Sequence, residues 1–225
     1  MDYKVVEVKE NLLAQNDENA SALNKKLSEK GVYFINVMAS PGSGKTTLLV
    51  RLINQLKKDY SIGVMEADID GDVDAARIHT QTSVASIQVH TSGACHLTAQ
   101  MVEDAINSFG IDNINLLILE NVGNLVCPAE FNTGAHLNLV LLSIPEGDDK
   151  PLKYPLMFEV ADIVTITKID TLPAFNFSFE KCHNNIKKRN QDAKVFEVSA
   201  LKEQGIDDLI QEIRDRIKKK YNRVK

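Results

Sequence analysis

The segment Ala39-Ser-Pro-Gly-Ser-Gly-Lys-Thr-Thr47 constrains this chain more than any other. An apolar run (32–38) precedes it and a helical pattern (48–58) follows it. A strand that enters a glycine-rich turn and leaves as a helix opening on Lys-Thr is the context of a phosphate-binding loop. The N–H groups of such a turn form an anion nest, and the helix start adds its partial positive charge. Gly42 and Gly44 let the backbone close on phosphate oxygens, with Ser43 and Thr47 as further contacts. Lys45 can reach the β- and γ-phosphates, and the Thr46 hydroxyl can ligate Mg²⁺. Ala39 stands where this pattern usually has its first glycine; a methyl is tolerable there if φ stays negative.

A parallel sheet is the expected home for that loop. Further strands are expected at 62–66, 85–90, 115–120, 137–143, 163–167 and 195–198. Helices are expected at 19–30, 46–58, 97–109, 179–190 and 206–220. Alternating strands and helices predict an α/β, three-layer P-loop NTPase fold with a mostly parallel seven-stranded sheet covered on both faces. Ligands then bind at the carboxyl ends of the strands. The phosphate loop, Asp68, Cys95, Glu120, Cys127 and Asp170 all follow candidate strands and converge on that edge. Residues 1–30 read as an N-terminal helical extension, and 31–225 as a nucleotide-binding domain with inserted metal-binding loops.

The 225 residues suffice for a sizeable core, and 44% hydrophobic with 25% charged residues is ordinary for a globular chain. A net charge of -5 argues against a nucleic-acid partner. Three cysteines at irregular spacing suit a reducing cytoplasm rather than a disulfide framework. No apolar run reaches membrane-spanning length, so no membrane association is expected.

Ile163-Val-Thr-Ile-Thr-Lys-Ile-Asp170 reads as a buried strand ending in Thr-Lys-x-Asp, similar to the guanine-specificity motif of GTPases. The Asp170 carboxylate can accept from guanine N1–H and the exocyclic amine, a donor pair that adenine lacks. Lys168 can lay its stem along the base. Thr167 replaces the usual Asn, and its hydroxyl can still brace the phosphate loop. Ser199-Ala200-Leu201 resembles the motif whose backbone N–H meets guanine O6.

Carboxylates follow two strands. Glu66-Ala-Asp68 ends one, with Asp70, Asp72 and Asp74 beyond it. Glu120-Asn-Val-Gly123 ends the other and resembles the Asp-x-x-Gly motif whose glycine N–H senses the γ-phosphate. Asp68 and Glu120 are candidate Mg²⁺ ligands with Thr46. Lys45, Asp68, Asp74 and Glu120 form the candidate catalytic set. Asp70 and Asp72 fit a solvated loop equally well.

A second chemistry resides in Gly93-Ala-Cys95-His96 and Cys127-Pro128. Two thiolates and an imidazole from neighbouring strand-end loops suit Zn²⁺ or Ni²⁺. Taken alone, the pattern also fits small buried cysteines. Cys182, on an apolar helix face with Phe179 and Ile186, reads as core. His79, His90, His136 and His183 read as structural.

The strings Glu120-Asn-Val-Gly-Asn-Leu-Val-Cys-Pro-Ala-Glu130, Glu146-Gly-Asp-Asp-Lys-Pro-Leu-Lys-Tyr-Pro155 and Thr167-Lys-Ile-Asp170 together resemble the HypB family. The likeness covers about residues 30–220. It implies a slow GTPase that delivers nickel to [NiFe]-hydrogenase, works with a HypA-type nickel chaperone and the hydrogenase large-subunit precursor, and dimerises with GTP. It also implies that Cys95, His96 and Cys127 are the metal residues at the dimer interface, and that Lys153 takes part in the nucleotide-linked contact. The chain shows neither an N-terminal cysteine motif nor a histidine-rich stretch, so nickel storage is not expected. Rival readings are a urease-accessory GTPase, a GTP- and metal-binding regulatory module without appreciable turnover, and a small-molecule P-loop kinase.

Overall fold

The computed structural model of the chain describes residues 8–68 and 73–221. The elements run α1 (Val8–Glu29), β1 (Tyr33–Ala39), α2 (Lys45–Leu56), β2 (Ile62–Asp68), α3 (Val73–Thr82), β3 (Ala85–His90), α4 (Ala99–Phe109) and β4 (Leu116–Glu120). They continue α5 (Cys127–Glu130), β5 (Leu137–Ser143), α6 (Lys150–Lys153), α7 (Pro155–Glu159), β6 (Ile163–Thr167), α8 (Phe179–Arg189), β7 (Lys194–Glu197) and α9 (Ile206–Tyr221). The seven strands lie in the order β3-β2-β4-β1-β5-β6-β7, and every pairing between them is parallel. The strand order turns at β1, which pairs with β4 on one side and β5 on the other. The glycine-rich loop leaves β1 at this switch point, where open α/β sheets bind ligands.

Alternation along β1 explains the layers. Tyr33, Ile35, Val37 and Ala39 share a core with Leu48, Leu52 and Ile53 of α2 and Ile210 and Ile213 of α9. Phe34 faces the other way, into a core with Leu23 and Leu27 of α1 and Val102 and Ile106 of α4. Met38 joins a third cluster containing Phe158 of α7 and Cys182 and Ile186 of α8. Asn36, polar in mid-strand, is buried and satisfied: it donates to Asn138 (3.1 Å) and accepts from Asn121 (3.0 Å).

Helix α1 begins well before the expected residue 19. Its inward face carries a polar residue that periodicity cannot recognise as core. Buried Asn16 donates to the Asn132 carbonyl and accepts from the first amide of α4, Ala99 N–H, both at 2.8 Å. Helices α3, α5, α6 and α7 were not anticipated either. All but α3 are four or five residues long with proline in the first turn, too short to display a period.

Candidate functional site

Helix α2 starts without a side-chain cap, because its N-cap is Gly44 in the left-handed region (φ 97°). The first amides of that helix are therefore left for a ligand. Gly42 is also left-handed (φ 73°), whereas Ala39 ends β1 with no positive φ, so its methyl is accommodated. Beside the loop lies a cavity of about 670 Å³, walled by Lys45, Thr46, Thr47, Asp68, Asp74 and Glu120 among others. Asp70 and Asp72 lie outside the described residues.

Two acidic side chains form the floor. Register pairs Glu66 of β2 with Glu120 of β4, so both carboxyls point from one face of the sheet. They are 3% and 4% exposed. The Thr46 hydroxyl donates to Glu120 Oε1 at 3.1 Å. Among the described residues Glu66 Oε1 and Glu120 Oε2 meet no amide, hydroxyl or ammonium group; the two carboxyls hydrogen-bond with each other, Glu66 holding the proton. Burial, then each other's proximity and that of Asp74, pushes Glu66 far above the usual carboxylate range; burial raises Glu120 against the opposing pull of Lys45. A buried carboxyl pair with open oxygens next to a phosphate loop and a threonine hydroxyl is a donor set fitted to a hard divalent cation. Gly123 closes the wall: a Cβ there would lie 3.2 Å from Pro41 Cγ and 3.3 Å from Lys45 Nζ.

At the far end of the loop, the Thr167 hydroxyl donates to the Ser43 carbonyl at 2.7 Å. Lys168, itself left-handed (φ 58°), donates to the Gly42 carbonyl at 2.6 Å, and its Cε would touch a Cβ on Gly44 at 3.7 Å. The Ser199 hydroxyl donates to Asp170, and the Lys202 N–H donates to Ser199 Oγ at 3.1 Å. The Ala200 carbonyl accepts from Arg51, and Leu201 is 70% exposed. The Thr-Lys-x-Asp and Ser-Ala-Leu segments thus meet one another beside the phosphate loop.

Cys95, His96 and Cys127 converge as well, their ligating atoms all within 4.8 Å of one another. The Cys95 and Cys127 sulfurs are 2.7 Å apart, and Cys95 Sγ is 3.7 Å from His96 Nδ1. His96 stacks on Phe131, ring centroids 3.7 Å apart, and burial lowers its pKa, favouring the neutral ring that metals bind. The hydrogen bond with Cys95, followed by burial, raises the Cys127 pKa. A metal must therefore displace a proton to bind that sulfur.

Residues 33–197 match the family described as "CobW/HypB/UreG, nucleotide-binding domain". The hydrogenase/urease maturation factor HypB of Helicobacter pylori is 41% identical over 209 residues, spanning 91% of this chain and 85% of that protein. The chain belongs to the HypB family. The crystal structure of HypB from Helicobacter pylori in complex with nickel superposes with a TM-score of 0.85 at 39% identity, covering 92% of this chain and 97% of that one. HypB from Archaeoglobus fulgidus gives 0.83 at 32% identity, covering 91% and 99%.

Within this HypB-family framework one expected site residue stands apart, and one cysteine lies in the core as its sequence context implied. Lys153 ends α6, pairs with Asp149 at 2.7 Å and does not line the cavity. Cys182 is fully buried, with its pKa pushed up to about 12 chiefly by burial. Two residues that sequence reasoning left out are part of the arrangement. Glu66 could have been found from strand register, since an acidic residue two before a strand end shares its face with the final one. Asn124 hydrogen-bonds both loops of the Cys-His-Cys cluster, and no motif flags it.

Proposed function

We propose that this protein is a GTP-hydrolysing nickel metallochaperone for [NiFe]-hydrogenase maturation. The observation that carries the reading is a single loop. Glu120, hydrogen-bonded to Thr46, and Gly123, which leaves no room for a side chain beside Lys45, are joined within seven residues to Cys127 of the thiol–imidazole cluster. Occupancy at one end of that loop bears directly on the other. Gly42 through Thr47 and Lys45 would hold the phosphates, while Lys168, Asp170 and Ser199–Leu201 would hold guanine. Thr46 and Glu120, with Asp68 and Glu66 at hand, would hold Mg²⁺, which when bound neutralises charge on the phosphate oxygens. Asp74 and the carboxyl pair are the groups available to position water, and turnover is expected to be slow.

Nickel is the cargo and binds Cys95, His96 and Cys127; Zn²⁺ competes for the same atoms. Three ligands leave a four-coordinate site one short, and a water or a cysteine of a second copy completes it. We expect a GTP-dependent homodimer with Lys153 at the contact, a HypA-type chaperone and the hydrogenase precursor as partners, and a cytoplasmic setting. No described helix is long and apolar enough to cross a membrane. The urease branch remains a second reading, because the Helicobacter pylori relative carries both roles in its name. Calorimetric titration of Ni²⁺ into GDP-bound and GTP-analogue-bound protein tests the central claim. We expect affinities that differ by roughly 1–3 kcal/mol. Equal affinities would refute the coupling. Sedimentation in the same two states tests the dimer.

A further inference from the structure

The two metal-bearing loops come from different strands. Cys95 and His96 follow β3, and Cys127 opens α5 beyond β4. The Asn124 side chain hydrogen-bonds both. Asn124 Nδ2 donates to the Cys95 carbonyl at 2.6 Å. Its Oδ1 accepts from the N–H groups of Val126 (3.0 Å) and Cys127 (2.9 Å). Accepting from the amides two and three residues ahead is an ordinary asparagine turn, which Asp or Ser provides equally well. Donating to a carbonyl while doing so is something that Asp cannot do and Ser is too short to do. The choice of asparagine therefore concerns the link between the loops rather than the turn.

We infer that Asn124 is a positioning residue that clasps the Cys95 loop to the Cys127 turn and so sets the separation of the metal-binding sulfurs. The inference rests on the metal reading of Cys95, His96 and Cys127. Asn124 directly follows Gly123, where a Cβ would meet Pro41 and Lys45, so the clasp stands where the phosphate loop and the metal loops come together. Groups that orient metal ligands without touching the metal commonly affect affinity about 10–100-fold.

The test compares Asn124→Asp, Asn124→Ser and Cys127→Ala in the full chain. Asp and Ser both retain the turn, so their melting midpoints should match wild type. Asp adds a negative charge near the cation and Ser does not; the two together separate charge from geometry. Titrated with Ni²⁺ alone, both Asn124 variants should bind about tenfold or more weakly. Their near-ultraviolet thiolate-to-nickel charge-transfer bands should shift or weaken, a signature that a purely structural turn would leave unmoved. Wild-type affinity and an unchanged band in the Ser variant would overturn the clasp while Cys127→Ala still abolished binding. Full Ni²⁺ binding by Cys127→Ala would instead overturn the metal site itself, and the clasp with it.

Discussion

The two ends of the parallel sheet treat buried polar groups in opposite ways. At the carboxyl end, buried side-chain oxygens of Ser43, Glu66, Gln88 and Glu120 gather around the phosphate loop, and among the described residues the two carboxyls have only each other while the other two have no partner. At the amino end, His136 is satisfied on both nitrogens. Its Nδ1 accepts from the Phe34 N–H at 2.9 Å, and its Nε2 lies 2.8 Å from Ser28 Oγ, which donates to the Asn24 carbonyl. The Asn24 amide in turn donates to the carbonyls of Gly134 and Ala135, and the ring stacks on Tyr33. An unpartnered buried polar atom costs about 1–3 kcal/mol. Isolated cases such as Thr165 Oγ1 in β6, and the Tyr221 hydroxyl near Tyr33 at the amino end, can be carried as local cost. A cluster of them at one edge is a site that a charged ligand stabilises, and the hydrogen-bonded network around His136, beside a cavity of about 750 Å³, is architecture. The same contrast separates Cys127, accessible beside Cys95, from Cys182, sealed in the core.

The sharpest way to break this contrast is to remove the cation at the open end. Lys45→Ala should take mant-GTP binding below detection, a loss of about 2–5 kcal/mol, because the phosphates lose their charged partner. Near-normal affinity in the variant would place the nucleotide elsewhere and leave the orphaned oxygens without an account.

The thiols give the next largest effect. Cys127→Ala should abolish Ni²⁺ binding with the melting temperature little changed. Cys182→Ala should leave Ni²⁺ binding intact and lower stability by about 1–2 kcal/mol, the cost of a small void in a closed core. The reversed pattern would exchange the roles assigned to the accessible and the sealed cysteine.

Much of this was legible in the chain. The strand, glycine turn and Lys-Thr helix announced the phosphate loop because its requirements are local: two left-handed glycines and an uncapped helix start. Strands β5 and β6 fall at their expected residues because buried parallel strands are continuous apolar runs, and the edge strand β3 does so through the alternation of Ile87 and Val89 with polar neighbours. The structure also places the Thr167 hydroxyl on the phosphate loop, the position anticipated for it. What stayed hidden depends on register between distant segments. Nothing local to Glu66 reports that Glu120 sits opposite, and nothing local to Asn16 reports that it caps α4 across the sheet face. Helix α1 was misjudged in length for the same reason, since a polar residue facing inward reads as surface until its partner is known.

Asp170→Asn sharpens the comparison at the base end. An amide cannot accept from both guanine donors, so GTP affinity should fall by about 1–3 kcal/mol. Xanthosine triphosphate, which bears a carbonyl where guanine has its amine, should become the preferred ligand in competition. Unchanged preference would detach the Ser199–Asp170 pair from base recognition.

The smallest expected effect belongs to the closed end. Burial, reinforced by the Lys220 ammonium, holds the His136 pKa down at about 4 against an ordinary 6.5. Between those values the unfolded chain binds a proton that the folded chain refuses, so stability rises with pH across the window and is lost as pH falls through it. Protonation would also take the Nδ1 lone pair away from the Phe34 N–H. With allowance for screening at the half-buried ring's open edge, the loss at pH 5 is about 1 kcal/mol. His136→Gln should cost stability at pH 7 by removing the stack on Tyr33, and it should also remove this pH dependence. Carboxylates titrate in the same range, so the measurement is the difference between wild-type and variant urea midpoints from pH 7 to 4. That difference should shrink as pH falls, because only the wild type carries the histidine penalty. A constant difference would mean that His136 accepts its proton as easily folded as unfolded, and the network around it would then not be what keeps the ring neutral.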